Sequence, residues 1–241
     1  MKNNVFVLWW QGENNAPDIV KICINSIRRN INPETQNLIL ITEENLNKYL
    51  DIPKYVLEKF KNGIISRTHF AELVRFMLLY KYGGLWIDAT IFVTSKISDD
   101  LFNYDFHTYN NKNSKKSDIT SKWECYLMSG KKHNLLCKKL VEFWLEYWKK
   151  ENLLIAYLLT EHVFYICYNE NEKFKMYFDN SSDFYYSANY LQKLMNKKYN
   201  KDKFNEIVIN EKFIKMTYKK KYKVSRNNQL TYYGYLRKEY L

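Results

Sequence analysis

The chain opens with solid apolar runs separated by helically spaced ones. Val5 to Trp10 is apolar and aromatic throughout and ends at Gln11-Gly12, the mark of a buried strand running into a loop. Ala16-Pro17-Asp18 then starts a stretch with Val20, Cys23, Ile24 and Ile27 on one face, so a helix is expected with Pro near its first turn. Leu38 to Thr42 is a second strand candidate, and Glu43 to Leu50 a short helix ahead of Pro53. Strand and helix alternate, the pattern that builds a parallel sheet.

From Ser66 to Tyr82 the positions Phe70, Leu73, Val74, Met77 and Leu78 predict an amphipathic helix capped by Ser66 or Thr68 and ended by Gly83-Gly84. Leu85 to Val93 follows, apolar except at Asp88 and Thr90, and reads as a central buried strand with a carboxylate set into it. A lone charge there is costly, so Asp88 needs a cation, a metal or ligand donors. Residues 103–122, rich in Asn, Ser, Lys and Asp, read as a loop and lobe boundary. Beyond it, Leu135 to Trp148 and Leu153 to Tyr168 predict two long helices, and the tail alternates lysine clusters with short apolar runs. The expected architecture is one α/β domain, a nucleotide-binding part at 1–102 and a helical part with a basic tail at 123–241.

Composition narrows the class. With 241 residues and 46% hydrophobic content the chain can bury a full core, while six Gly and three Pro argue against a turn-rich all-β fold. Cys23, Cys125, Cys137 and Cys167 form no close pair and read as reduced, buried thiols of a cytoplasmic protein. No apolar run has membrane-spanning length. The net charge of +12 sits unevenly: residues 193–223 hold eleven Lys against three Asp or Glu. That patch suits an anionic membrane surface, an anionic donor or acceptor, or simply solvent. Arg clusters and Gly-rich RNA-binding signatures are missing, which argues against nucleic acid.

The chemistry concentrates at Glu72, Arg75 and Asp88. Glu72 and Arg75 sit three apart on one helix, and Asp88 follows thirteen residues after Arg75 across a tight turn. Such a path can bring all three to one end of a sheet, where open α/β folds bind ligands. The same spacing is also compatible with a surface ion pair and a satisfied buried carboxylate.

The blocks Ala71-Glu72-Leu73-Val74-Arg75 and Tyr82-Gly83-Gly84-Leu85-Trp86-Ile87-Asp88-Ala89-Thr90 resemble the capsular polysaccharide synthesis proteins. These belong with the DXD-containing sugar transferases, among them yeast-type mannosyltransferases and the clostridial glucosylating toxins. Weaker matches at Trp10-Gln11-Gly12, Tyr147-Trp148-Lys149, Lys215-Met216-Thr217-Tyr218-Lys219 and Tyr232-Tyr233-Gly234-Tyr235 spread the resemblance over nearly the whole chain. It implies a GT-A nucleotide-sugar-binding fold and a glycosyltransferase, a hexosyltransferase using a UDP-sugar with retention of configuration to extend a bacterial capsule or lipooligosaccharide. The alternatives are a catalytically silent nucleotide- or sugar-binding protein and a basic membrane- or nucleic-acid-binding module.

By the same resemblance Trp10, with Gln11, lies against the nucleotide base. Glu72, Arg75, Gly83, Gly84, Trp86 and Asp88 hold the donor, with Arg75 near the diphosphate and Trp86 beside the ribose. Two positions depart from the pattern. Glu72 stands where Asp is usual, and Thr90 replaces the second Asp of the pair, a poor ligand for Mn2+ or Mg2+. Charge on the departing diphosphate must still be stabilised, by a divalent cation at Asp88, by Arg75, or by Lys215 and Lys219, and the expectation favours a cation assisted by the basic residues. Glu161 and His162, on a helix of the acceptor part, are the candidate base or nucleophile alongside Asp88. The acceptor is an oligosaccharide or a lipid-linked glycan, and the basic tail would bring the protein to the cytoplasmic membrane face.

Overall fold

The computed structural model describes residues 2–111, 122–184 and 190–241. Strand β1 (Asn3–Leu8) leads to helix α1 (Asp18–Asn30) and parallel strand β2 (Gln36–Ile41), as the alternation predicts. Short helices α2 (Leu46–Tyr49) and α3 (Lys54–Lys61) precede α4 (Arg67–Tyr82). Ser66 caps α4 by accepting the His69 N–H, and Gly83 ends it at φ 67°.

Strand β3 (Gly84–Ile87) returns to the other side of β1, with Val5 beside Leu85 and Phe6 beside Trp86 in parallel register. Gly84 is required there: its φ is 116°, and a Cβ would stand 2.4 Å from the Asn4 carbonyl oxygen. The long strand expected from Leu85 to Val93 is two strands. The chain leaves the sheet after Ile87, turns at Asp88 with Ile91 N–H donating to the Asp88 carbonyl at 2.9 Å, and resumes as β4 (Ile91–Val93). Asp88 thus lies at the sheet's edge rather than inside it, where its charge can be satisfied.

Strand β5 (Phe106–Asn111) falls within the segment expected to be loop, and its remainder, 112–121, lies outside the described residues. Its polar residues are accommodated because the backbone pairs on both sides and Thr108 Oγ donates to the Glu124 carbonyl at 2.6 Å. Then come β6 (Trp123–Gly130), α5 (Leu135–Lys150), α6 (Leu159–Glu170), α7 (Glu172–Asp179) and β7 (Ser182–Phe184). Helix α6 starts six residues later than the periodicity predicts. The Tyr147 hydroxyl accepts the Ile155 N–H at 3.0 Å and donates to the Leu153 carbonyl at 2.7 Å, which holds that segment out of a helix.

Helices α8 (Tyr190–Leu194) and α9 (Lys201–Asn210), strand β8 (Phe213–Lys215), the hairpin of β9 (Ser225–Arg226) and β10 (Gln229–Leu230), and helix α10 (Tyr232–Tyr240) complete the chain. The central sheet runs β2-β1-β3-β6-β5-β7 and is mostly parallel, with β6 antiparallel to both neighbours. It passes through both expected parts of the chain. Alternation along β1 sends Phe6 to a core under α4, α5 and α6, and Val5 and Val7 to a core under α1 and α10. All four cysteines are buried and free of disulfides. Among the described residues, no helix is long and apolar enough to cross a membrane.

Candidate active site: a cleft at the strand switch point

Strand β2 lies on one side of β1 and β3 on the other, so the connections diverge at the carboxyl ends of β1 and β3. Open α/β sheets leave a ligand crevice at such a point. A cleft of about 630 Å3 occupies it. Leu8, Trp9, Trp10 and Gln11 line it after β1, and Trp86, Asp88, Ala89 and Thr90 after β3. One face of α4 adds Arg67, Thr68, Ala71 and Arg75, while Lys215 to Lys219 close it from the tail.

Asp88 is the charged centre. Its Oδ1 accepts from Arg75 Nη2 at 3.1 Å and from Trp86 Nε1 at 2.8 Å, and its Oδ2 accepts from Lys215 Nζ at 2.6 Å. Burial alone would raise this carboxyl, but Lys215 and then Arg75 outweigh it and hold it below the usual carboxylate range. Lys215 reaches Asp88 because β8 pairs antiparallel with β4, setting Lys215 opposite Ile91, while Met216 N–H donates to the Thr90 carbonyl at 2.8 Å. A residue 127 positions away is thereby clamped beside the turn that carries Asp88. The Arg75 guanidinium also lies 5.1 Å from the Trp86 ring centre, a cation–π contact that fixes both.

Behind the cleft floor is a second, buried acidic layer. Glu72 accepts from Thr160 Oγ at 2.8 Å, and burial raises its carboxyl against the opposing pull of Arg75. Glu161 is 7% exposed and its Oε2 has no hydrogen-bond partner; burial first, then the Glu72 charge, pushes it up to about 7. Cys125, also buried, lies close enough for the Glu161 and Glu72 charges to help hold its thiol protonated. The two acids and Arg75 form one electrostatic unit, with Arg75 linking the buried layer to Asp88.

The expected site residues therefore separate into groups. Trp10, Gln11, Arg75, Trp86, Asp88, Lys215 and Lys219 converge on the cleft. Trp10 is half-buried, with its ring edge-on to Phe60 and Phe70 at 4.9 and 5.3 Å. Glu72 and Glu161 stand behind it, and His162 is turned to the Leu158 carbonyl at 2.8 Å. Gly83 and Gly84 lie at the opposite end of β3, where they make the turn out of α4. Sequence reading missed Trp9, Arg67, Tyr157 and Tyr218 as cleft residues. Trp9 carried a signal in the aromatic pair ending the first run, and Tyr157 and Tyr218 stand in segments that share the family resemblance; Tyr218 reaches the cleft by an edge contact with Trp9 at 5.3 Å.

The expected divalent cation does not fit this donor set. Both Asp88 oxygens already accept from cationic or N–H donors, and Thr90 offers a hydroxyl where a second carboxylate would be needed. Among the described residues, no three His, Cys, Asp or Glu side chains gather in a way that could hold a metal.

Sheet order and the switch-point cleft make this an α/β fold of the GT-A type. The profile of the capsular polysaccharide synthesis protein family matches residues 1–236, and the chain belongs to that family. The O-glycosyltransferase braB of Annulohypoxylon truncatum is 30% identical over 107 residues, which are 42% of this chain and 25% of that protein. The glycosyltransferase GlyE of Streptococcus pneumoniae TIGR4 superposes with a TM-score of 0.50 at 11% identity, over all of this chain and 60% of GlyE. The chain therefore spans a quarter of the one and less than two thirds of the other.

Proposed function

We propose that the chain is a glycosyltransferase that moves a sugar from a nucleotide-sugar donor, a UDP-sugar in the first instance, onto a growing bacterial surface glycan. The observation that carries this reading is the cleft at the switch point, where Asp88 is held between Arg75 and Lys215 and two tryptophans flank the end of β1. An aromatic wall beside a cationic one matches the two halves of a nucleoside diphosphate. In this reading Trp10 and Gln11 face the base, and Trp86 and Asp88 face the ribose and sugar. Lys215, Lys219 and Arg75 face the diphosphate. The acceptor, an oligosaccharide or lipid-linked glycan, enters from the side of Arg67 and Tyr157.

The transfer breaks the bond between the anomeric carbon and the diphosphate oxygen, and the electron pair leaves on the diphosphate. The acceptor hydroxyl oxygen bonds the same carbon. Asp88 is a poor base because two cations hold it ionised. Glu72 and Glu161 lie behind the cleft floor, so the departing phosphate oxygen is the best-placed group to take the hydroxyl proton. That assignment requires attack on the leaving-group face, hence retention. Exposed Lys220, Lys221 and Lys223 would hold the protein at an anionic cytoplasmic membrane face, where lipid-linked acceptors reside.

The test is release of nucleoside diphosphate from a panel of nucleotide sugars. Slow hydrolysis that Asp88→Ala abolishes, with the variant still folded by circular dichroism, supports the enzyme. Tight donor binding with no turnover under any condition would instead favour a silent binding protein, a reading that Thr90 at the second acidic position suits.

A further inference from the structure

We propose, resting on the donor reading above, that Lys215 takes the place of the divalent cation: its ammonium contacts the donor diphosphate and carries the leaving-group charge, so nucleotide binding needs no metal. Three observations support this. First, Lys215 Nζ sits 2.6 Å from Asp88 Oδ2, the oxygen that would otherwise be free to coordinate an ion. Second, the backbone that carries Lys215 is fixed, since the β4–β8 ladder and the Met216-to-Thr90 hydrogen bond hold its strand against the Asp88 turn, and Asp88 itself holds the ammonium. Third, its side chain remains 28% exposed and lines the cleft, with one N–H spent on Asp88 and the others available to a phosphate.

Charge supports the exchange. With Arg75 counted on both sides, two carboxylates around a divalent cation leave one positive charge, and Asp88 with Arg75 and Lys215 leaves the same one positive charge facing the cleft. Lys219 on the same rim adds another. A cation entering at Asp88 would have to expel Lys215 and then stand beside Arg75, with Thr90 unable to offer a carboxylate. The tail strand and the acidic turn thus form one device, the strand bringing the charge that the turn's second position does not bind.

The experiment is calorimetric titration of the full chain with UDP, GDP and ADP, each in EDTA and in Mn2+. The expected result is that the nucleotide that binds does so with affinities in the two buffers within about threefold. Lys215→Met should weaken it about 10- to 100-fold, the worth of one charge-assisted hydrogen bond, and Lys215→Arg should keep most of it. Binding confined to the Mn2+ buffer overturns this proposal and leaves the donor reading standing. Binding to none of the three in either buffer removes both. The comparison on the unaltered chain stands whether or not the Lys215 variants fold.

Discussion

Glu161→Gln tests the buried acidic layer most directly, because Gln keeps the shape of the protonated acid and cannot ionise. In the folded chain Glu161 titrates at about 7, against 4.5 for an ordinary glutamate, with burial and then the Glu72 charge as the causes. The sign follows from proton counting. Between these two values the folded state keeps a proton that the unfolded state has lost, so stability falls as pH rises through that window and is flat below it. Multiplying the difference by 1.36 kcal/mol per pH unit puts the cost of the ionised group at roughly 3 kcal/mol above pH 7. For a chain of this size that is a loss of about 6 to 12 °C in melting temperature between pH 4.5 and pH 8. The assay is thermal melting by circular dichroism across that range for both proteins. Glu161→Gln should match the wild type at the acid end and exceed it by most of that margin at pH 8. Glu72 and Glu124, also raised by burial, leave a slope of the same sign in the variant. If the two proteins lose stability with pH in parallel, Glu161 is not the group that holds the proton, and the layer does not work as described.

Other consequences can be checked with the same protein. Gly84→Ala should fail to accumulate as folded protein in an expression and melting assay, because the added Cβ meets the Asn4 carbonyl at 2.4 Å. Gly12→Ala has nothing within 4 Å to meet, but φ 79° with ψ 157° is a backbone region that is essentially glycine's alone, so it should cost about 1 to 3 kcal/mol. Trp10→Ala should weaken nucleoside diphosphate binding by roughly 5- to 150-fold in a fluorescence titration, the worth of one aromatic stacking contact. The basic tail should carry the protein down with anionic liposomes at low salt, at about 1 kcal/mol per engaged lysine. Replacing Lys220, Lys221 and Lys223 with Gln should reduce that fraction, and equal sedimentation of the two would refute the membrane assignment.

Much of the site's first half was legible because its residues are neighbours in sequence. A helix cap at Ser66, a face carrying Arg75, a glycine turn and Asp88 occupy one unbroken stretch, and local rules of capping and periodicity place them. The strand break at Asp88 was not legible. An apolar run from Leu85 to Val93 looks continuous, and only the pairing of Ile91 to Val93 with a strand more than 120 residues later shows that the chain has changed sheets. Strand β5 was missed for a related reason: its His, Thr and Asn residues read as loop, and their place in the sheet rests on partners on both flanks.

The requirement stated for Asp88, that a buried carboxylate must have a partner, held in a form that leaves the local pattern incomplete. Arg75 is the partner that spacing can find, since it shares the same stretch. Lys215 is the partner that spacing cannot find: the sequence offers it as a diphosphate candidate, but only the pairing of β8 with β4 sets it on Asp88. What selects it is parity. Phe213 and Lys215 share one face of β8, and Ile214, fully buried, takes the other. A one-residue slip of β8 against β4 would carry Lys215 to the other face and bury it without a counter-charge. The apolar face of β8 thus sets the register that delivers the charge, so packing of the tail and electrostatics of the cleft are the same constraint. A variant that loosens β8 without touching any charged residue should therefore weaken nucleotide binding as well as stability.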